Sequence, residues 1–299
     1  MSIPATNVTT NTGSCPAAPE SRPGGCGPAA TLGRWWAVWA AAGLLGLVCL
    51  AGGCNSEVRS RPLSVAGSTS VQPFAEKLAE TYMHEHPACR IDVQGGGSSA
   101  GICAAEHGAA ELGTSSRELL GEEKKLVEIP IAYDGIAIIV HPSNPLNDIS
   151  VEQIRQIFLG QTTNWQALGL PAHAIDPITR EEGSGTREAF EHLVMAKHEI
   201  TPTALVQDSN GSVREIVAGD PHSIGYISAG LVDQRVKALS INGVRPTPQN
   251  ITAHTYKLVR RFLMVTRTAP SGLCKDFTDF VLGPQGQKIL ESEGLVGVK

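Results

Sequence analysis

From Pro62 onward the chain alternates short apolar runs with stretches of helical periodicity, and each of the early apolar runs stops at a turn rich in Ser and Thr. That alternation constrains the fold more than any other feature, because strands joined through helices build α/β sheets. "PLSVAG" reads as a first strand. It runs into "STSVQPFAEKLAETYMHEH", where Val71, Phe74, Leu78 and Tyr82 recur at helical spacing and Pro73 falls in a tolerated first turn. "RIDV" then runs into "GGGSSAG" and a helix, and "AELGTSSRELLGEEKKL" gives a strand with Ser115 and Ser116 at a third expected helix start. In an open parallel sheet such turns gather at the carboxyl ends of the strands, where ligands bind.

Two long apolar runs, "IPIAYDGIAIIVHP" and "YKLVRRFLMVT", bracket a middle segment with its own strands and helices. The chain is therefore expected to be α/β with two lobes, leaving the first along one long strand and returning along the other, so that two crossover strands form a hinge. The boundaries read as 62–138 plus 256–299 for lobe 1 and 139–255 for lobe 2. Within the middle segment, Ser150 and Gln153 form a capping box, and Ser212 and Glu215 read as another. "AIDPIT" is a strand, "REEGSGTRE" its turn, and "EAFEHLVM" a helix with Phe190, Leu193 and Val194 on one face. Two amphipathic helices, "SGLCKDFTDFVLG" and "PQGQKILESEG", close the chain.

The 299 residues are 41% hydrophobic and 18% charged, enough for two cores of domain size. A formal net charge of -5 gives no basic excess to follow a nucleic-acid backbone, so nucleic acid is excluded as a partner. Residues 1–33, rich in Thr, Ser, Pro, Gly and Ala, are expected to be a disordered lead. Residues 34–54 read as an export signal: Arg34, then the uncharged "WWAVWAAAGLLGLVCLAGG", then Cys54. The ending "LAGGC" resembles the lipobox of bacterial lipoproteins, with one small residue more than the commoner spacing. It implies lipidation of Cys54, against a plain signal-anchor helix. The long lead before Arg34 is unusual for a signal and is compatible with a start further downstream.

Such cleavage removes Cys15, Cys26 and Cys49 and leaves Cys89, Cys103 and Cys274 beside the lipidated residue. Small buried residues are the expectation for all three, with a Cys89–Cys103 bridge as the alternative in an exported protein.

Two readings compete for "GGGSSAG". It fits the hydrolase elbow G-x-S-x-G with Ser99 as nucleophile, and equally a Gly/Ser loop that holds an anion at a helix start. Only one strand precedes it after the signal, too few for that hydrolase fold. None of the later histidines, His107, His141, His173, His192, His198, His222 and His254, lies in a catalytic motif. His84 and His86 stand two apart and do not share a helix face, so "HEH" reads as a helix end and not as a metal site. No motif calls for a cofactor. "REEGSGTRE" adds Gly183 and Gly185 for close backbone approach, Ser184 and Thr186 as hydroxyl donors, and Arg180 as a planar fork for an oxyanion.

In this order, "AGSTSVQPFAEKLAETY", "GGGSSAGI", "LGTSSREL", "AYDGIAIIVHPSNP", "REEGSGTREAFE", "GYIS" and "FVLGPQGQKIL" resemble the PstS type of phosphate-binding protein over residues 62–299. The resemblance implies a two-lobe periplasmic-binding-protein-like fold of type II, no enzymatic activity, and inorganic phosphate as ligand. It also implies the permease and ATPase subunits of a phosphate importer as partners, and a monomer held at the outer face of the cell membrane, or in the periplasm, by its lipid anchor. Carried over by position, the phosphate contacts are Thr69, Ser70, Ser98, Ser99, Ser116, Arg180, Ser184, Gly185 and Thr186. Glu182 takes the place of an acid that orients the Arg. Ser116 stands where one branch of the family has Asp, so the acceptor that would favour phosphate over sulfate is either Ser116 or Glu182. A binding protein for sulfate or molybdate, and a receptor-like lipoprotein without transport, are the alternatives.

Overall fold

The computed structural model describes residues 61–196 and 198–298; the lead 1–33, the segment 34–54 and Cys54 lie outside the described residues. The described chain opens with β1 (Leu63–Gly67), α1 (Gln72–Glu85), β2 (Ile91–Gly95), α2 (Ser98–His107) and β3 (Leu112–Ser115), then crosses on the long β4 (Val127–Val140). The second part holds β5 (Asp148–Ile149), α3 (Val151–Phe158), β6 (Asp176–Arg180), α4 (Gly185–Phe190), β7 (Leu205–Gln207), α5 (Asn210–Gly219), β8 (Ser223–Ser228), β9 (Lys237–Ala238), β10 (Ser240–Ile241) and α6 (Pro248–Thr252). The return strand is β11 (Val259–Thr266), followed by α7 (Gly272–Leu282), α8 (Pro284–Ser292) and β12 (Val296–Gly297).

Among the described residues the main sheet runs β2-β1-β3-β11-β4-β8-β6-β7, with β9 and β12 pairing off that path with β4. β1 pairs parallel with β2 and β3, and β6 parallel with β7 and β8, whereas β4 and β11 pair antiparallel with each other. The expected two-lobe, two-crossover arrangement follows from β4. Its residues Val127–Gly135 pair with β11 and its residues Ile136–Val140 pair with β8. The partner switch lies at Gly135–Ile136, and there Ile136 N–H donates to Leu258 O at 2.8 Å.

Each part has its own core. Leu63, Val65, Phe74, Leu78, Ile91, Leu112, Phe262 and Phe277 form one cluster, and Ile136, Ile138, Ile154, Phe158, Phe190, Val194 and Tyr226 form another. The stripe predicted for α1 is buried as read: Val71, Phe74, Leu78 and Tyr82 all face the first core, and Tyr82 meets the edges of Phe277 and Phe280 on α7. The first helix ends at Glu85 with His86 as its cap, before Pro87, as expected of "HEH". Among the described residues no cluster of His, Cys, Asp and Glu could hold a metal ion, and no helix is long and apolar enough to cross a membrane.

Four local expectations are corrected. No helix starts at Ser115–Ser116; the segment stays extended to a short 3-10 turn at Gly121–Lys125, held by Glu123, which accepts from Arg117 and from Leu120 N–H. The helix after "REEGSGTRE" is α-helical only to Phe190 and widens to a π-turn through Met195, as Phe190 stacks on Tyr226 at 4.0 Å. The cap of α5 is Ser209, whose hydroxyl accepts from Ser212 N–H at 3.0 Å, so Ser212 is inside the helix rather than capping it. The three cysteines among the described residues are free; Cys103 is exposed and Cys89 and Cys274 half-buried, so none of them is the fully buried residue expected. The capping box of Ser150 and Gln153 forms as read.

Candidate functional site

Four turns meet where the two lobes face each other. The first joins β1 to α1. Gly67 has a φ of +145°, and a side chain there would strike the backbone of Thr114, so the chain can only enter Ser68–Ser70 through glycine. Ser68 Oγ donates to Ser116 Oγ at 2.9 Å. Ser70 Oγ lies 2.7 Å from Thr186 Oγ1 of the opposite lobe.

The second turn opens α2 through Gly97, and Ser98, fully buried, accepts from Ser116 N–H at 3.0 Å. Ser99 N–H donates to Gly183 O at 3.1 Å, a main-chain bond between the lobes. The Ser99 hydroxyl accepts from Arg117 Nη2 at 3.0 Å and lies 3.4 Å from Glu188 Oε1. No histidine is among its partners, so the geometry of a nucleophile and its base is not built here.

The third turn, Ser115–Arg117, offers its hydroxyls from an extended chain. Ser116 Oγ, fully buried, stands 3.3 Å from Ser98 Oγ. Arg117 leaves the cluster for the rim, where it grips Glu123 with two bonds of 2.7 and 2.9 Å and pairs with Glu188 across the lobes at 2.8 Å. The Arg117 guanidinium holds the Glu123 carboxyl below its ordinary range, while burial pushes Glu188 upward.

The fourth turn joins β6 to α4 and carries Arg180, 1% exposed at the end of its strand. Tyr226 Oη anchors that strand end, 2.7 Å from Thr179 Oγ1 and accepting from Arg180 N–H at 3.3 Å; burial pushes its phenol up to about 12. Ser184 caps α4 by accepting from Arg187 N–H at 3.3 Å. A Cβ on Gly185 would collide with Ser98 Oγ and come within 2.7 Å of Ser116 Oγ, so this wall tolerates only glycine.

Arg180 Nε and Nη2 donate to the Glu181 carboxylate at 3.0 and 2.8 Å, and Nη2 also reaches Thr69 Oγ1 at 3.1 Å across the lobes. The orienting acid is thus Glu181, while Glu182, expected in that role, is exposed and makes no bond to Arg180 among the described residues. Strand geometry explains the difference: β6 ends at Arg180, and the residue directly after it folds back along the guanidinium before the turn carries its neighbour into solvent. Arg180 Nη1 is buried with no partner among the described residues. A buried charged donor left without an acceptor is costly, and an anion is the group that removes the cost.

All nine expected contact positions line or adjoin this cluster, but three charged or polar residues of it went unread. Asn210 on α5 donates from Nδ2 to Ser70 Oγ at 2.9 Å and to Thr69 Oγ1 at 3.4 Å. Asp134 and Arg260, paired at 2.9 Å beneath the first turn, are nearly wholly buried. The signal that could have found them was a charge inside each long apolar run, Asp134 alone in the first and Arg260 beside Arg261 in the second. Burial pushes Asp134 upward against the pull of Arg260 and of the Ser228 hydroxyl.

Residues 27–285 match the family model of the PBP superfamily domain. Phosphate-binding protein PstS of Bacillus subtilis is 33% identical over 252 residues, covering 82% of this chain and 83% of that protein. Phosphate-binding protein PstS of Borreliella burgdorferi is 29% identical over 260 residues, with 82% and 93% covered. Among solved structures, a substrate-binding protein from Clostridium perfringens assigned to phosphate ABC transport, with phosphate bound, superposes with a TM-score of 0.78 at 42% identity, covering 80% of this chain and all of that one. An ABC-type phosphate transport receptor from Vibrio cholerae superposes with a TM-score of 0.66 at 36% identity, with 78% and 99% covered.

Proposed function

The chain belongs to the PBP superfamily and, within it, to the PstS-type phosphate-binding proteins, and on that premise we propose that it binds inorganic phosphate outside the cytoplasm and delivers it to an ABC-type importer. The observation that carries the reading is Arg180: a guanidinium buried between the lobes, oriented by Glu181, with Nη1 unpartnered among the described residues and hydroxyls of four turns around it. A tetrahedral oxyanion offers acceptors in several directions, and Thr69, Ser70, Ser98, Ser184 and Thr186, with the N–H of Ser98 at the start of α2, supply donors from several sides. Gly185 lets the backbone of the fourth turn approach the serines of the second and third. Ser99, engaged by Arg117, adjoins the contact set.

No bond is made or broken in this reading; the protein is a carrier and not an enzyme. Phosphate retains a proton near neutral pH and sulfate does not, so selectivity requires an acceptor in the site. Exposure of Glu182 leaves the Ser116 hydroxyl oxygen as the acceptor we assign. The two lobes, 62–138 plus 256–299 and 139–255, close about β4 and β11, and the permease and its ATPase subunits read the closed form. We further assign a lipid anchor at Cys54 and a monomeric state.

Calorimetric titration of the purified chain with phosphate, sulfate and molybdate tests the reading. Saturable binding of phosphate with little response to sulfate is expected. Preference for sulfate or molybdate would make it a receptor for another oxyanion, and absence of binding to all three would remove the transport reading.

A further inference from the structure

Asp134 and Arg260 are register partners on β4 and β11, one position before the switch at Gly135–Ile136 where the chain passes between lobes. Their side chains are 0% and 3% exposed, so this is an ion pair inside the hinge and not a surface contact. Asp134 spends one oxygen on Ser228 Oγ at 2.8 Å and the other on Arg260 Nε at 2.9 Å. Arg260 lies over the Phe262 ring; its Nη2, which also reaches the same Asp134 oxygen at 2.9 Å, donates to Ser70 Oγ at 3.2 Å, and Nη1 points toward Ser116 O at 3.4 Å.

The consequence falls on Ser70. A hydroxyl has two acceptor positions and one hydrogen. Arg260 Nη2 and Asn210 Nδ2 both donate to Ser70 Oγ, which fills its acceptor positions and leaves it only its hydrogen to give, with Thr186 Oγ1 of the opposite lobe 2.7 Å away to receive it. Arg180 reaches Thr69, the neighbouring residue of the same turn, from the other lobe. Two buried guanidinium groups therefore converge on one hydroxyl turn.

We propose that Arg260, anchored by Asp134, is a positioning residue for anion affinity: it fixes the Ser70 hydroxyl as a donor and sets a second positive charge behind the wall of the site. The inference rests on the phosphate-binding reading. It assigns the hinge an electrostatic role: the crossing strands carry the charge that helps to hold the ligand.

Two variants test it, each first examined by thermal unfolding, and either one that folds decides. Asp134→Asn leaves the guanidinium uncompensated beneath the anion and is expected to bind phosphate at least as tightly as wild type. The double variant Asp134→Asn with Arg260→Met removes both charges, a change that buried pairs often tolerate, and is expected to weaken phosphate binding about tenfold or more. A merely structural pair would move both variants in the same direction. Double-variant affinity within about twofold of wild type, or equal weakening in the single variant, would overturn the proposal while leaving the phosphate reading in place. Wild-type protein that takes up no phosphate would overturn both.

Discussion

Arg180 is the residue on which the site turns. Its Nε and Nη2 are committed to Glu181, Thr69 and the carbonyls of Gln207 and Asp208, which fixes the plane of the guanidinium and leaves Nη1 as the free donor among the described residues. Arg180→Ala is expected to lose about 100-fold or more in phosphate affinity by calorimetry, because a charged donor to a buried anion has no water to take its place. Arg180→Lys should not restore it, since an ammonium cannot make the two-point contact with Glu181 and still reach the anion. Gly185→Ala is a second test at this scale: a methyl group forced among the buried Ser98 and Ser116 hydroxyls is expected to weaken phosphate binding by calorimetry and, by overpacking, to lower the unfolding temperature as well. Hydroxyl residues at turn positions were legible because turn chemistry is local. The choice between Glu181 and Glu182 was not, because adjacent residues after a strand point to opposite sides and the last strand position is not written in the composition of the turn.

At the scale of elements, helix periodicity carried far. The α1 stripe, the capping box of α3 and the two closing helices could be read because amphipathic spacing and Ser/Gln pairing depend on neighbours within one turn of helix. Ser115–Ser116 and the cap of α5 were misread for a shared reason: a serine before a polar-apolar run scores as a cap wherever it stands, and the competing partner that decides is further along the chain or one turn away. Ser209→Ala is expected to cost about 1 kcal/mol in urea unfolding, as for other capping hydroxyls. Glu123 gives a pH prediction at the same scale. Its folded pKa lies below the ordinary 4.5, so the stability it contributes is present above that value and is lost as pH falls through and below it. Glu123→Gln should therefore flatten part of the acid side of the stability–pH curve, measured by urea midpoints between neutral pH and pH values below that range.

For the whole molecule, the two-lobe plan was legible in two long apolar strands separated by a complete α/β segment, since few topologies let a chain leave a sheet and return to it beside the strand on which it left. The charges inside those strands were not, because pairing Asp134 with Arg260 needs the register of β4 against β11. A ligand held between two lobes is bound only by the folded form, so phosphate at 100 times its dissociation constant should stabilise the protein by about 2.7 kcal/mol. For a body of this size the melting temperature should rise by about 5–10 °C, with little change in sulfate at the same ionic strength.

The bond from Ser99 N–H to Gly183 O joins the lobes main chain to main chain. A side-chain latch such as Arg117 with Glu188 can be edited by a single substitution; an amide and a carbonyl are present whatever residues stand there, provided the chain can take its turn. The meeting geometry of the lobes is thereby separable from the chemistry of the rim. Rim residues can therefore be exchanged while the main-chain contact keeps its register. For design, the rim is where the kinetics of release can be altered, and the glycines of the second and fourth turns are where they should be left alone.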